Sequence, residues 1–316
     1  MISFIIIGRN EETHLQKCFA SVFLFIEHNR IKDYEVIYVD SNSSDSSIDI
    51  AKSFNANSIL KITHGYNAAV ARNLGARHAN GDILFFVDAD MEISKDFYSN
   101  AFESDKPKFP FLTGNFIYKY PDNKKVNYYK KPLNEKSLVL SNGTFIIEKQ
   151  IWDLIGGMDE RFKKAQDFDF IMKAAKKGFF LRRLEEIIAV HNTIDYNHPA
   201  RLWTMLKANL YVRSLLYRKH FFSKYIWPVF LRREYTLIVL IVSALSYLAI
   251  GSLYVFLAYA FFIIIKSLVQ KKRPWYEFFV RLPYYIIRDI NTFLGFFFFY
   301  PAKPANIKWQ KITGTE

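Results

Sequence analysis

Short, strongly apolar runs alternate with helix-periodic segments over residues 2–88, and each run ends on polar or acidic side chains. Ile2–Ile7 is a continuous β-rich run of the kind that fills a strand buried on both faces. Leu15, Cys18, Phe19, Val22 and Ile26 then recur at helical spacing. A second strand-like run, Glu35–Val39, leads into Asp40, and a third covers Ser58–Ile62. A helical pattern over Asn67–His78 precedes a fourth run, Asp82–Val87. Strand–helix alternation implies right-handed crossovers, so the predicted class is α/β with a doubly wound, mostly parallel sheet. Ligands of such sheets gather at the carboxyl ends of the strands. Those ends carry Gly8-Arg9-Asn10-Glu11-Glu12, Asp40-Ser41-Asn42-Ser43-Ser44-Asp45 and Asp88-Ala89-Asp90.

Composition narrows the possibilities. Hydrophobic residues make up 51% of the 316, far too much apolar mass for a disordered chain. Cys18 is the only cysteine, which excludes a disulfide scaffold and suits a reducing compartment. The formal charge of +13 is not spread evenly. Residues 1–200 hold 26 Lys+Arg and 26 Asp+Glu, whereas residues 201–316 hold 17 and 4. No zinc-finger spacing, RNP-like motif or basic heptad accompanies that excess, which argues against a nucleic-acid partner.

The basic groups instead flank an apolar stretch. Tyr235–Ile265 has no charged residue and would be ~45 Å long as one helix, against a hydrocarbon core of ~30 Å. It fits one strongly tilted span or a hairpin of two short spans broken at Gly251-Ser252. Arg232-Arg233 lie before it and Lys266, Lys271, Lys272 and Arg273 after it. Positive residues mark the cytoplasmic side, so both ends belong inside, and the hairpin is expected. Trp275–Tyr300 is aromatic but carries Glu277, Arg281, Arg288 and Asp289, and reads as an interfacial helix with arginines toward anionic lipid. The expected organisation is a catalytic domain over 1–198, amphipathic linker helices over 199–234, a transmembrane hairpin over 235–270 and a basic aromatic interfacial tail over 271–316. The Ile2–Ile7 run is too short for a signal peptide, since charge returns at Arg9.

Asp88 and Asp90 close a very apolar strand and would repel one another without a cation between them. Oxygen-only ligation suits Mg²⁺ or Mn²⁺ holding substrate phosphates. The bland reading of the same residues is a turn with an aspartate capping the next helix.

The ordered set Phe4–Glu12, Val39–Asp45, Gly65 with Ala71-Arg72-Asn73-Leu74-Gly75, Phe86–Asp90, Gly156-Gly157-Met158-Asp159-Glu160 and Gln166-Asp167-Phe168-Asp169 resembles the family 2 glycosyltransferases of the GT-A fold. The resemblance covers roughly residues 2–192. It implies inverting transfer of a sugar from a nucleotide-sugar to an acceptor in one displacement. It places Gly8, Arg9, Asn10, Glu11, Asp40, Arg72 and Ala89 around the donor nucleotide, with Asp40 reading a UDP or GDP base and Arg72 near the diphosphate. Asp88 and Asp90, with His191 as a further ligand or a purely structural histidine, would hold Mn²⁺ or Mg²⁺. Asp167 is the expected general base, although Gln166 stands where the family has Glu and Asp169 is the rival carboxylate. Asn142 and Gly143, together with Asp169, would line the sugar and acceptor site.

The expected acceptor is a hydroxyl on a lipid-linked or surface glycan, reached from the cytoplasmic face of the inner or plasma membrane. A polyprenyl-phosphate sugar synthase shares these features but attacks through an anionic phosphate that needs no base. A nucleotide-sugar-binding scaffold without turnover would not need the acidic pair. A nucleotidyltransferase would want a glycine-rich basic loop where Gly8-Arg9-Asn10-Glu11 stands. A two-span hairpin cannot by itself form a polymer-exporting pore.

Overall fold

The computed structural model describes residues 1–120, 125–127, 143–193, 212–269 and 277–312. They form two compact units, one of Met1–Ile194 with Ala302–Glu316 and one of Asp195–Pro301.

The first unit follows the expected alternation. Its opening elements are β1 (Ile2–Gly8), α1 (Glu12–His28), β2 (Tyr34–Asp40), α2 (Ser47–Ser53), β3 (Ser58–His64), α3 (Ala68–His78) and β4 (Ile83–Asp88). Strands β3, β2, β1 and β4 lie side by side and parallel, in that order. Their side chains divide by parity, as a period of two requires. Phe4, Ile6, Val36, Tyr38 and Phe85 pack with Leu15, Phe19 and Val22 of α1. Ile5, Ile7, Ile37, Val39 and Phe86 pack with Val70 and Leu74 of α3 on the opposite face. Both faces are therefore dry, which is why these strands read as unbroken apolar runs. Each fully buried aliphatic or aromatic side chain contributes roughly 1.5–3 kcal/mol of transfer free energy.

Beyond β4 the sheet becomes mixed. The chain continues through β5 (Met91–Ile93), α4 (Tyr98–Ala101), a two-stranded ribbon of β6 (Phe102–Glu103) and β7 (Lys106–Pro107), β8 (Phe111–Lys119), β9 (Lys125–Asn127), β10 (Phe145–Glu148), α5 (Lys149–Ile155), α6 (Gln166–Lys176) and β11 (Arg182–Asn192). Strand β10 runs antiparallel between β4 and β8, and β11 pairs parallel to β8 and antiparallel to β5. His191 of β11 lies opposite Met91, which brings it beside the Asp88-Ala89-Asp90 turn.

The tail read as interfacial holds a surprise. Lys308–Ile312 forms β12, which pairs antiparallel with β3 and makes the outer strand of the main sheet. Trp309 meets His78 edge-on, with ring centroids 4.7 Å apart. Residues 308–312 of the expected interfacial tail thus belong to the main sheet. An edge strand on β3 would otherwise present unpaired N–H and C=O groups, and β12 satisfies them.

The second unit is helical. Residues 212–219 are helical, followed by α7 (Trp227–Arg233), α8 (Tyr235–Ile250), α9 (Phe256–Leu268) and α10 (Phe278–Phe298). Helix α8 stops at Gly251, whose φ of +71° gives a left-handed cap. The chain then turns back into α9, with the Ser243 hydroxyl donating to the Val255 carbonyl at 3.0 Å. The expected break at Gly251-Ser252 is therefore present. Among the described residues no single helix is long and apolar enough to cross a membrane. Helices α7 and α8 reach the length together but are bent by 81°.

The charges of this unit are not where an interfacial helix would put them. Arg281, Arg288 and Asp289 of α10 are buried, as is Glu234. Arg281 pairs with Glu277 at 2.9 Å, and Arg288 lies 3.1 Å from both Glu234 and Asp289. Meanwhile Phe222 is 99% exposed, Tyr254 81% and Leu248 80%. The polar groups point inward because each finds an opposite charge there. That corrects the reading of these arginines as lipid-facing.

Candidate active site

The site sits at the carboxyl ends of β1, β2 and β4. The loops after β1 and β2 are laced together. The Asn10 N–H donates to Ser43 Oγ at 2.9 Å, and Asn10 Oδ1 accepts the Ser44 N–H at 2.9 Å. The Glu11 N–H donates to Ser47 Oγ at 3.0 Å. Asn10 takes a φ of +55°, a conformation that asparagine tolerates better than most residues. Arg9 is exposed, with its guanidinium 4.4 Å from the centre of the Tyr66 ring.

Two of the expected nucleotide contacts, Asp40 and Ala89, are buried. Asp40 is fully buried: one carboxylate oxygen accepts the Ser43 N–H at 2.9 Å and the other the Tyr38 hydroxyl at 3.4 Å. The bond to Ser43 braces the loop after β2. Ala89 is also buried, packed behind Gly8. A Cβ on Gly8 would lie 2.7 Å from the Ala89 Cβ, so only glycine lets the two turns meet.

Asp88 and Arg72 form the centre. Arg72 is 2% exposed on α3, and its Nη2 reaches Asp88 Oδ1 at 2.5 Å and the Gly143 carbonyl at 3.4 Å. Its Nε and Nη1 are buried with no hydrogen-bond partner, leaving two donors unspent beside Asp88. Gly143 has φ +88°, and a Cβ there would fall 1.9 Å from Asp88 Oδ2 and 2.5 Å from Arg72 Nη2. Gly143→Ala is expected to force the ion pair apart and lower kcat/KM by about 10²-fold, as misplacement of a catalytic group by an ångström does. Steady-state kinetics beside an unchanged far-UV circular dichroism spectrum would check it.

Asp90 contacts His191, with Oδ2 and Nε2 3.1 Å apart. Its Oδ1 is buried and has no partner, and His191 Nδ1 is likewise unpartnered. The next element is strand β5, so Asp90 does not cap a helix. Among the described residues no group of three Asp, Glu, His or Cys side chains forms a ready-made cation cage. Mg²⁺ and Mn²⁺, however, are commonly held by one or two carboxylates plus substrate phosphates. An orphaned carboxylate oxygen beside a second aspartate fits that kind of shell. The electrostatics agree. Burial first, and then Asp90 and Asp88, push the Glu11 carboxyl up to about 7. Burial and Asp90 raise Asp88 against the opposing pull of Arg72. The pocket holds more negative charge than it can comfortably ionise.

Asp167 and Asp169 open α6 but differ in surroundings. Asp167 is half-buried, and its Oδ1 accepts the Phe168 N–H at 2.9 Å. Its charge is felt at Asp88, so it belongs to the same site. Asp169 is fully buried and acts electrostatically on Arg161. Gln166 keeps Oε1 buried without a partner. Asn142 lies outside the described residues.

A latch emerges that the sequence reading missed. Asn73 Nδ2 donates to the Met158 carbonyl at 2.9 Å and to Glu160 Oε1 at 3.0 Å, while its Oδ1 accepts the Met158 N–H at 2.8 Å. Asn67 Nδ2 adds a bond to the Glu160 carbonyl at 2.9 Å. The Gly156–Glu160 loop is thereby tied to α3, the helix that carries Arg72. Both ends of the latch stand in motifs quoted above, but nothing in the sequence pairs them.

Comparison with known proteins is decisive at the level of family. Residues 3–174 match the model of "Glycosyl transferase family 2". The chain belongs to that family. Among curated relatives, a Methanococcus voltae dolichyl N-acetyl-alpha-D-glucosaminyl phosphate 3-beta-D-2,3-diacetamido-2,3-dideoxy-beta-D-glucuronosyltransferase is 26% identical over 61% of this chain and 67% of its own length. The glycosyltransferase AglE of Haloferax volcanii is 23% identical over 60% of this chain and 66% of its own. A Trichomonas vaginalis dolichyl-phosphate beta-glucosyltransferase, ALG5D, is 29% identical over 28% of this chain and 30% of its own. The fold matches the mannosyltransferase PcManGT of Pyrobaculum calidifontis, solved with GDP-Man and Mn²⁺, at TM-score 0.61 and 15% identity over 92% of this chain and 86% of that one. It also matches residues 1–349 of S. aureus TarS, solved with UDP-GlcNAc, at TM-score 0.51 and 15% identity over 98% of each chain. This family 2 enzyme is a glycosyltransferase with a GT-A-like mixed sheet.

Proposed function

We propose that this glycosyltransferase moves a sugar from a UDP- or GDP-sugar to a hydroxyl of a lipid-linked or surface-glycan acceptor, with inversion. The observation that carries the reading is the convergence of Arg72, Asp88, Asp90 and Asp167 at the carboxyl end of β4. Asp88 and Asp90, with His191 beside them, would hold Mn²⁺ or Mg²⁺. When bound, the cation supplies Lewis-acid neutralisation of the departing nucleoside diphosphate. Arg72 offers its unpartnered Nε and Nη1 to the same anion. Asp167, half-buried at the start of α6, accepts the proton of the attacking hydroxyl. Asp40 holds the Ser41–Asp45 loop in the shape that receives the base, while Arg9 over Tyr66 offers the exposed flank. PcManGT with GDP-Man and TarS with UDP-GlcNAc leave both donor bases in play.

A lipid-linked acceptor is supported by the dolichyl relatives and by the outward apolar surface of the second unit. We place that unit on the anionic inner leaflet with the catalytic unit toward the cytoplasm. The polyprenyl-phosphate synthase reading draws support from the dolichyl-phosphate relative, but its phosphate nucleophile would leave Asp167 without work. A thermal-shift screen of UDP, GDP, ADP and CDP with and without Mn²⁺ tests the donor class. One base should stabilise the enzyme, by the usual linkage of binding to folding, and only when the metal is present. Equal, metal-independent shifts for all four would overturn the assignment.

A further inference from the structure

The loop from Gly156 to Ala165 joins α5 to α6, and its backbone is hard to hold. Gly156 has φ +81°, Gly157 +59° and Ala165 +58°. Glycine adopts such angles freely, but alanine does so where its surroundings fix it. Ala165 stands two residues before Asp167, so whatever fixes this loop also fixes the start of α6.

The loop is held from both flanks. From α3, the Asn73 amide bonds both the N–H and the carbonyl of Met158, as a neighbouring strand would, and its Nδ2 also reaches Glu160 Oε1. The fit is close: a Cβ on Gly157 would lie 2.6 Å from Asn73 Oδ1. From α6, Lys173 Nζ donates to the Gly157 carbonyl at 2.5 Å and the Gly156 carbonyl at 3.3 Å. Within the loop, Arg161 grips Asp159 through Nε at 3.0 Å and Nη2 at 2.6 Å. Arg161 also feels the charge of Asp169 in the first turn of α6.

The loop is therefore a splint between two helices of the first unit. One carries Arg72 and the other Asp167, and both of these charges act on Asp88. Adjacent residues of a helix point about 100° apart, so Asn73 can hold the splint while Arg72 faces the acidic turn. Both N–H groups of the Asn73 amide are spent on the loop, so it acts through the backbone it binds and not on substrate.

We propose that Asn73 is a positioning residue for sugar transfer: through Met158 and Glu160 it sets the separation of Arg72 and Asp167, and so aligns the departing diphosphate with the attacking nucleophile. The proposal rests on the diphosphate and base roles given to those two residues above, and adds the group that spaces them.

The test exploits the polarity of the latch. Asn73→Asp keeps the bond from the Met158 N–H but sets a carboxylate against the Met158 carbonyl and the Glu160 carboxylate. The assay is Mn²⁺-dependent hydrolysis of a panel of UDP- and GDP-sugars, which needs no known acceptor. Asn73→Asp should lower kcat per folded molecule about 10²-fold, the scale of an ångström's misplacement, with the Kd for the nucleoside diphosphate within twofold of wild type. Adding Glu160→Gln supplies an amide donor to the new carboxylate and should recover at least tenfold. In an Asp167→Asn background the same Asn73→Asp change should cost less than threefold, because the group it misplaces is already gone. Hydrogen exchange, which needs no turnover, should rise over residues 156–170 in Asn73→Asp and fall back in the Glu160→Gln double variant. Should Asn73→Asp fail to fold, Asn73→Ala enters the same cycle with Asp167→Asn. A lower Tm with kcat per folded molecule unchanged, full additivity with Asp167→Asn, or unaltered exchange at the start of α6 would overturn the positioning role and leave the roles of Arg72 and Asp167 intact. Wild-type kcat in Asp167→Asn alone would overturn the base assignment instead.

Discussion

Asp90→Ala should reduce metal-dependent transfer by about 10²–10³-fold, the scale on which preorganised electrostatic stabilisation acts. Sugar transfer measured across a Mn²⁺ titration would show it, with the wild-type saturation curve flattened. The variant should fold, because Asp90 Oδ1 has no partner to lose and Oδ2 has only His191. A second consequence follows from charge. Glu11 is raised to about 7 from 4.5, with burial the first cause and Asp90 the second. Its folded form therefore holds a proton more tightly than the unfolded chain does. Stability from this group is present below about pH 4.5 and lost as pH rises through 7. Removing Asp90 weakens that loss, so the metal-free variant should show a flatter fall in Tm between pH 5 and 8, read by calorimetry in chelator. Retained Mn²⁺-dependent turnover would sink the metal assignment.

Asp167→Asn is expected to lower kcat by about 10²–10⁴-fold with donor affinity unchanged, since an amide cannot take the hydroxyl proton. The companion Asp169→Asn should do the reverse. Asp169 is fully buried at the start of α6, so its loss should appear as a lower Tm with most of the turnover per folded molecule intact. Isothermal titration with the nucleoside diphosphate, run beside the kinetics, separates the two outcomes. Equal losses of turnover from both variants would return the choice of base to either carboxylate.

Much of the catalytic unit was legible because its information is local. A two-residue period that fails, as in Ile2–Ile7, announces a strand with two dry faces, and helix spacing at Leu15–Ile26 announces its cover. The site residues follow from topology, since every parallel strand delivers its carboxyl end to the same rim. Other features escaped because they depend on how the chain packs rather than on its local pattern. Asp169 looks equivalent to Asp167 until α6 buries it fully and leaves Asp167 half-buried. The arginines of α10 look interfacial until Glu234 and Glu277 are found opposite them. Strand β12 carries Lys308, Trp309, Gln310 and Lys311, a pattern with no hydrophobic alternation to betray a sheet. Its place comes from backbone pairing with β3.

That last strand constrains how the protein can be made and cut. Because the edge partner of β3 is translated only after every apolar helix, the nascent catalytic sheet waits half-finished while the greasier segment is already seeking its surroundings. A soluble enzyme core obtained by stopping the gene ahead of residue 302 would be born with a sticky margin. Excising the helices and bridging 193 to 302 with a flexible tether is the route that leaves the sheet whole.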